Sequence, residues 1–256
     1  MKNEKICLVG CGWLGLALSR HLTQAQYQVL ATTAHDKTEE FKESAIPYIP
    51  FDLNGNDLVP EKILKADVII YMIPPLELQI VKKFFDKFPH NKRIIFTSST
   101  SIYGKNLGFV HESFTPDIHH TGSPLLLQTE EYMRSRFRNL TILRPGGLYG
   151  VKRHPIFSLQ GKKNLTSGED LLHLVHQDDV IHGILSVLEG NMWGEVFNLV
   201  SDLRVPKKEY YTAMANKHGL TPPEYIADDN SINPTRISNE KSKLKLKIIY
   251  LDPNQF

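Results

Sequence analysis

Gly10, Gly12 and Gly15 fall at Gly-x-Gly-x-x-Gly spacing, directly behind the apolar run Ile6-Cys7-Leu8-Val9 and ahead of Leu14, Leu18 and Leu22 at helical intervals. A strand that turns through such a loop into a helix can hold a pyrophosphate. The first glycine permits the tight turn, the second lets backbone approach the anion, and the third lets the helix pack closely on the sheet. The N–H groups and positive dipole end of the helix supply the attraction. Cys11, Trp13 and Leu14 belong to the same loop. Trp13 lies either over the phosphates, at the cleft mouth, or in simple packing. Cys11 among loop amides is a setting for a lowered thiol pKa, but a small residue filling a tight loop is the stronger reading. With Cys7 the only other cysteine, no zinc site can be completed.

The second strand runs out through Ala31-Thr32-Thr33-Ala34-His35-Asp36-Lys37. A site that prefers NAD places an acid here, on the ribose 2′-OH. Thr32 and Thr33 take that position without repelling a 2′-phosphate, and His35 and Lys37 attract one, so NADP is expected ahead of NAD. Asp36 is the competing residue, should the register bring it to the ribose. Farther along, Thr97-Ser98-Ser99-Thr100-Ser101 leads into Tyr103-Gly104. His119 and His120 offer acid/base chemistry near neutral pH, with a plain loop role favoured. Arg153, in Arg153-His154-Pro155, is equally a clamp for phosphate or carboxylate and an exposed loop charge. His173 and His176 are spaced to point to opposite faces of a strand and no third ligand accompanies them, so no metal is expected. Asp178 and Asp179 read as the acidic first turn of a helix.

The elements that position these residues alternate. Strands are predicted at 6–9, 27–32, 67–72, 93–97 and 140–143, with helices after the glycine loop, at 76–88 and at about 125–137, and a short exposed helix at 36–43. This alternation argues for an α/β fold, a Rossmann-type doubly wound parallel sheet. Beyond Arg144 Gly, Pro and His become frequent. A helix is predicted at 178–188, a strand at 195–200, a helix at 207–218, a loop over 221–234, and a last helix and strand whose solvated face carries the lysines of 241–247. Residues 1–144 suffice for a dinucleotide-binding domain. Residues 145–256 are expected to form a small substrate-binding lobe, partly interleaved with the first.

The 256 residues are 41% hydrophobic and 23% charged, with 30 Lys+Arg against 28 Asp+Glu. That apolar content excludes disorder as the main state, and a net charge of +2 gives no mandate for nucleic acid. No apolar run reaches the roughly 18 residues of a membrane helix. Two cysteines and no cleavage-site pattern near Met1 lead to the expectation of a cytoplasmic protein without a disulfide framework.

With the phosphate loop and the Ser99-to-Gly104 stretch in place, the chain resembles an extended short-chain dehydrogenase/reductase of the nucleotide-sugar epimerase and dehydratase type. Further marks follow in that family's order: Glu112-Ser113-Phe114-Thr115-Pro116, Leu143-Arg144-Pro145-Gly146-Gly147-Leu148-Tyr149-Gly150, Leu174-Val175-His176-Gln177-Asp178-Asp179-Val180, Gly194-Glu195-Val196-Phe197-Asn198-Leu199 and Arg236-Ile237-Ser238-Asn239-Glu240-Lys241. The resemblance implies a cofactor wall that includes Ile73, Pro74, Thr97, Pro145, Gly147 and Leu148. It implies Tyr103, Arg153 and His154 on the substrate side, and relatives of this type often form homodimers.

The resemblance also implies a reactive Ser, Tyr and Lys, the Lys four residues beyond the Tyr. Four back from Tyr103 stands Ser99, so the first member is present. The Tyr-x-x-x-Lys pair is absent: Ser123 or Gly122 stands where the Tyr belongs and Leu127 or Leu126 where the Lys belongs. This marks an atypical member. The implied function is an NAD(P)-dependent oxidoreductase, epimerase or dehydratase acting on a sugar-like or other hydroxylated small molecule, with altered proton chemistry. Ser99, and beside it Ser123 and His120, are the catalytic candidates. The competing reading is a non-catalytic dinucleotide-binding sensor; retention of Ser99 and Tyr103 places the enzyme ahead.

Overall fold

The computed structural model describes residues 4–34, 46–55, 58–226 and 233–256. His35 and the helix expected at 36–43 lie outside the described residues. The chain forms two compact units built from returning segments. Unit 1 comprises Met1–Ser98, Ser123–Leu143 and Ile184–Val196; unit 2 comprises Ser99–Gly122, Arg144–Gly183 and Phe197–Phe256.

The sheet begins with strands β1 (Lys5–Val9), β2 (Gln28–Thr33), β3 (Tyr48–Pro50), β4 (Val68–Tyr71), β5 (Arg93–Thr97) and β7 (Leu140–Pro145), with β10 (Val196–Leu199) at its edge. Its order is β10-β7-β5-β4-β1-β2-β3. Pairing is parallel, with Ile6 opposite Val29 on one side and Val68 on the other. The reversal of strand order between β1 and β4 is the switch point at which doubly wound sheets bind ligands. Strands covered on both faces need apolar side chains throughout, and Val68, Ile69, Ile70 and Tyr71 are all buried. Helix α1 (Trp13–Gln24) buries Leu14, Leu18 and Leu22, the stripe predicted from their spacing. Helix α2 (Glu61–Leu64) is a single turn. α3 (Leu78–Phe85) is shorter than the predicted 76–88, and α4 (Pro124–Arg136) begins with proline in its first turn, where the missing N–H is harmless.

Unit 2 holds two small parallel pairs, β6 (Phe109–Val110) with β11 (Arg236–Ile237), and β8 (Gly147–Tyr149) with β9 (Leu174–His176). These strands are too short for a periodic pattern to announce them. Helices α5 (Pro155–Leu159) and α7 (Lys207–Lys217) pack around Tyr149, Ile156, Leu172, Tyr210 and Met214. Helix α6 (Gln177–Gly190) opens with Asp178 and Asp179 as expected. After helix α8 (Glu240–Leu246) the predicted last strand is not formed. The Leu251 N–H donates to the Asp179 carboxylate (3.1 Å) and its carbonyl accepts from the Tyr149 hydroxyl (3.1 Å). Side chains thus satisfy the backbone groups that a neighbouring strand would have taken.

Candidate functional site

Unit 1 carries the glycine loop between β1 and α1. Gly10 takes φ +91°, and a Cβ there would meet Ile73 Cγ1 at 2.6 Å and the Met72 carbonyl carbon at 3.1 Å. Only glycine suits both that conformation and that space. The loop is tied to β2: Gly10 N–H donates to Thr32 Oγ1 (3.3 Å) and Cys11 N–H to the Thr32 carbonyl (2.8 Å). Gly12 caps α1, and a Cβ built on it meets nothing within 4 Å. That open space adjoins a first turn with no acidic residue and no side-chain cap, whose N–H groups have no intrahelical acceptors. At the end of β5 in the same unit, Thr97 Oγ1 is buried without a hydrogen-bond partner among the described residues. An uncapped helix start, a cradle without side chain and an orphaned hydroxyl fit a dinucleotide.

Other residues of the expected cofactor wall fall as follows. Thr32 and Thr33 are both buried. The buried Thr32 hydroxyl accepts the Gly10 N–H and so braces the loop, with its own proton still to be donated. Exposed, uncharged Ala34 follows them. Leu14 is buried and Trp13 half-buried at the start of α1, Ile73 fills the space beside Gly10, and Pro74 is exposed. Cys7 and Cys11 are buried free thiols; burial and Cys11 push Cys7 up to about 12, which leaves it unreactive.

Unit 2 contains an open cleft of about 480 Å³. Ser99, Thr100 and Ser101 line it, with Gly122, Gly146 and Gly147, and so do Lys105, Asp170, His173, Lys207 and Tyr211. Ser99 Oγ accepts the Ser101 N–H (3.1 Å), capping a 3₁₀ turn at Thr100–Ile102; its own hydroxyl proton remains to be donated. Thr100 donates to the Pro145 carbonyl (3.3 Å) and Gly147 N–H to that of His173 (2.8 Å), while Leu148 is half-buried. Asp170 accepts from Lys207 Nζ at 3.2 Å and faces Lys105 Nζ at 3.8 Å. Lys105, Asp170, His173 and Lys207 were not among the expected site residues. The one signal was a histidine inside the apolar run Leu171–Val175.

Two expected substrate residues are instead buried and fully engaged. The Tyr103 hydroxyl donates to Asn198 Oδ1 (2.8 Å) and accepts from Arg144 Nη1 (2.7 Å). Asn198 also accepts support from Glu112, whose carboxylate takes its N–H (2.9 Å), and donates through Nδ2 to the Ser238 carbonyl (3.1 Å). Tyr103 therefore ties together the segments around Glu112, Arg144, Asn198 and Ser238 and does not face the cleft. His154 is 3% exposed. Its Nδ1 accepts the Ile156 N–H (3.1 Å), capping α5, its Nε2 meets the Tyr210 hydroxyl (3.0 Å), and its ring stacks on Phe256. Burial, with His218 adding to it, pushes its pKa down to about 4, so it is a neutral part of the core.

The remaining candidates are placed by their surroundings. Arg153 is exposed beside the Gly150 turn. His120 is exposed and pairs with Asp117 (2.8 Å), which the His119 N–H and His120 hold below the usual carboxylate range. That is the loop role favoured from sequence. In unit 1, Ser123 caps α4 without a side-chain cap bond, and Leu127 is buried. Beside them Ser98 Oγ donates to Glu130 Oε1 (2.5 Å), both groups buried. Among the described residues no group of three His, Cys, Asp or Glu is arranged to hold a metal, and no helix is long and apolar enough to cross a membrane.

No family model matches the chain. Solved structures share its architecture. MoeE5 in complex with UDP-glucuronic acid and NAD superposes with a TM-score of 0.79 at 17% identity, over 99% of this chain and 95% of MoeE5. UDP-glucuronic acid 4-epimerase from Bacillus cereus, in complex with NAD, gives 0.76 at 21% identity, over 97% and 92%. A short-chain dehydrogenase/reductase superfamily protein from Agrobacterium tumefaciens with bound NAD gives 0.74 at 17%, over 98% and 94%. The fold is therefore the Rossmann-type fold of the short-chain dehydrogenase/reductases and sugar-nucleotide epimerases, as the resemblance implied. Closer in sequence is protein YeeZ of Escherichia coli K12, 32% identical over 276 residues that span 98% of this chain and 97% of YeeZ. The chain belongs to the YeeZ family.

Proposed function

We propose that the protein is an NAD(P)-dependent oxidoreductase of the epimerase/dehydratase kind, acting on a hydroxylated small molecule with proton chemistry different from that of a Tyr–Lys enzyme. The observation that carries the reading is the open space at Gly12 beside the uncapped, acid-free start of α1. The NAD held by MoeE5 and by the B. cereus epimerase supports it. When bound, an oxidised nicotinamide would accept a hydride from a carbinol carbon, whose hydroxyl proton passes to solvent as the carbonyl forms. Ser99 would donate a hydrogen bond to the substrate oxygen and hold it in place, keeping its own proton throughout. It does not replace a tuned phenol, because an unaided hydroxyl is a very weak acid. NADP is proposed ahead of NAD because Thr32 and Thr33 end β2 without a carboxylate and His35 and Lys37 follow, with Asp36 the competing acid.

Titration of the purified protein with NAD(H) and NADP(H), followed by nicotinamide fluorescence, tests the binding step; no binding of any of the four at micromolar levels refutes the proposal. Hydride transfer is then followed with polyols and aldoses. Ser99→Ala should abolish turnover while leaving dinucleotide affinity unchanged. A second reading, a dinucleotide sensor without turnover, draws on Leu126 and Leu127, both buried, one of which stands where the resemblance expects a lysine. It is favoured if the dinucleotide binds tightly and no substrate supports exchange.

A further inference from the structure

The cleft of unit 2 has an uneven charge that the oxidoreductase reading does not use. Lys105 and Lys207 come from segments a hundred residues apart, yet their ammonium groups approach the same Asp170 oxygen, at 3.8 and 3.2 Å. One carboxylate faces two cations, so a positive charge is left over. Lys105 is braced by Ser167, to which it donates at 2.5 Å. Lys207 starts α7, and its backbone N–H is bound to the Asp170 carbonyl (3.0 Å). Lys105 is thus tied to Ser167, and Lys207 to Asp170 through both its backbone and its ammonium group.

His173 on the cleft wall adds a hydrogen-bond donor without adding charge. Its Nε2 lies 3.3 Å from the Ile237 N–H. A backbone N–H can only donate, so Nε2 is unprotonated and the ring proton sits on Nδ1. Nδ1 has no hydrogen-bond partner among the described residues. Burial, Arg204 and Lys207 push the pKa down to about 3, which keeps the ring neutral. Arg204 is itself turned away, donating to the Leu203 and Ile237 carbonyls at 2.8 and 2.9 Å. Ser99 and Ser101 also line the cleft.

We propose that this cleft binds a small polyhydroxylated acid, a phosphate monoester or a carboxylate, with its anionic group held by Lys105 and Lys207 and its hydroxyls met by His173 and Ser99. A volume of about 480 Å³ lies toward the lower end of the roughly 300–1,000 Å³ typical of small-molecule pockets. Tyr211 is its one Phe, Tyr or Trp among the described residues, which leaves little to sandwich a nucleobase. The occupant is therefore a free acid and not a nucleoside diphosphate sugar. The proposal rests on the reading that this cleft receives the substrate, but it is tested by binding alone.

Isothermal titration without dinucleotide compares glucose 6-phosphate, glucuronate, UDP-glucose and glucose. One of the two acids should bind at least about tenfold tighter than glucose, and the better of the two identifies the anion. Lys207→Gln and Lys105→Gln should each weaken that acid about tenfold, as expected for loss of a charge-assisted bond, and leave glucose unaffected. Wild-type affinity should fall when salt rises from about 0.01 to 1 M, which shortens the Debye length from ~30 to ~3 Å. This arm needs no variant to fold. Equal binding of acids and glucose, no salt dependence, or UDP-glucose bound tighter than either acid overturns the proposal. Missing dinucleotide binding or turnover, with the acid still bound, refutes only the oxidoreductase reading.

Discussion

Replacing Gly10 and Gly12 separately by alanine should split what the phosphate loop does for stability from what it does for binding. At Gly10 the backbone is at φ +91°, where an L-residue loses roughly 1–2 kcal/mol. The new Cβ would also press on Ile73 Cγ1 at 2.6 Å and on the Met72 carbonyl at 3.1 Å. The side chain can yield but the strand cannot, which adds about 1–3 kcal/mol of overpacking. A combined loss of about 3 kcal/mol lowers Tm by roughly 6–12 °C for a chain of this size. At Gly12 the Cβ enters open space, so stability should change by less than about 0.5 kcal/mol. The same methyl occupies the approach of the pyrophosphate to the first turn of α1. Lengthening a single charge-assisted hydrogen bond there forfeits about 1.5–3 kcal/mol, a 10- to 100-fold weaker dinucleotide. Scanning calorimetry and nicotinamide-fluorescence titration read the two quantities. A Gly12→Ala protein that binds like wild type, or a Gly10→Ala protein that melts like it, refutes the reasoning.

Other changes probe the buried polar contacts. Tyr103→Phe removes the hydroxyl between Arg144 and Asn198 and should destabilise by about 2–4 kcal/mol in urea unfolding; a loss below about 0.5 would mean the network is dispensable. Ser98→Ala deprives the buried Glu130 of its 2.5 Å donor, and the expected loss is about 1.5–3 kcal/mol, read by the same assay. Acidification should destabilise: His154 and His173 are held neutral, at about 4 and 3, while the unfolded chain takes up protons below about 6.5, at up to roughly 1.4 kcal/mol per pH unit each. Asp179, pushed up to about 6 by burial, works the other way, stabilising as pH falls from 6 to 3.8. One carboxyl does not outweigh two histidines, so Tm at pH 5 should lie below that at pH 7, and His154→Phe should flatten the slope.

The phosphate loop was legible because its requirement is a backbone one: no other residue takes Gly10's conformation in Gly10's space, and the strand and helix on either side declare themselves by apolar spacing. Strand β5 was placed at its observed bounds, and the buried strand β4 to within a residue, for the same reason. Ser99 and Gly147 were legible at the cleft, but its charged side was not. Lys105 and Asp170 are ordinary polar loop residues in sequence and Lys207 an ordinary helix start, and their charge acquires meaning only where three distant segments converge. Tyr103 and His154 were misplaced by a different route. Residue type tells which hydrogen bonds a side chain can make, but not that Arg144 and Asn198, or Ile156 and Tyr210, already consume them.

That consumption bears on what the ordered family marks measure. Tyr103, Glu112, Arg144, Asn198 and Ser238 come from separate motifs, and in unit 2 they form one buried hydrogen-bonded group. Tyr149 and Asp179, from two further motifs, secure Leu251 together. Loss of any one partner leaves the others desolvated and unpaired. A chain that folds this way must therefore keep the set whether or not it performs the family's chemistry. The helix start carries no such obligation: Ser123 precedes its first turn, and Leu126 and Leu127 are both buried in unit 1 as apolar side chains. The packing of that buried group therefore makes no demand for a Tyr–Lys pair. Retained marks are evidence for the fold, and the activity has to be argued from the groups that line the cleft: Ser99, Lys105, Asp170, His173 and Lys207.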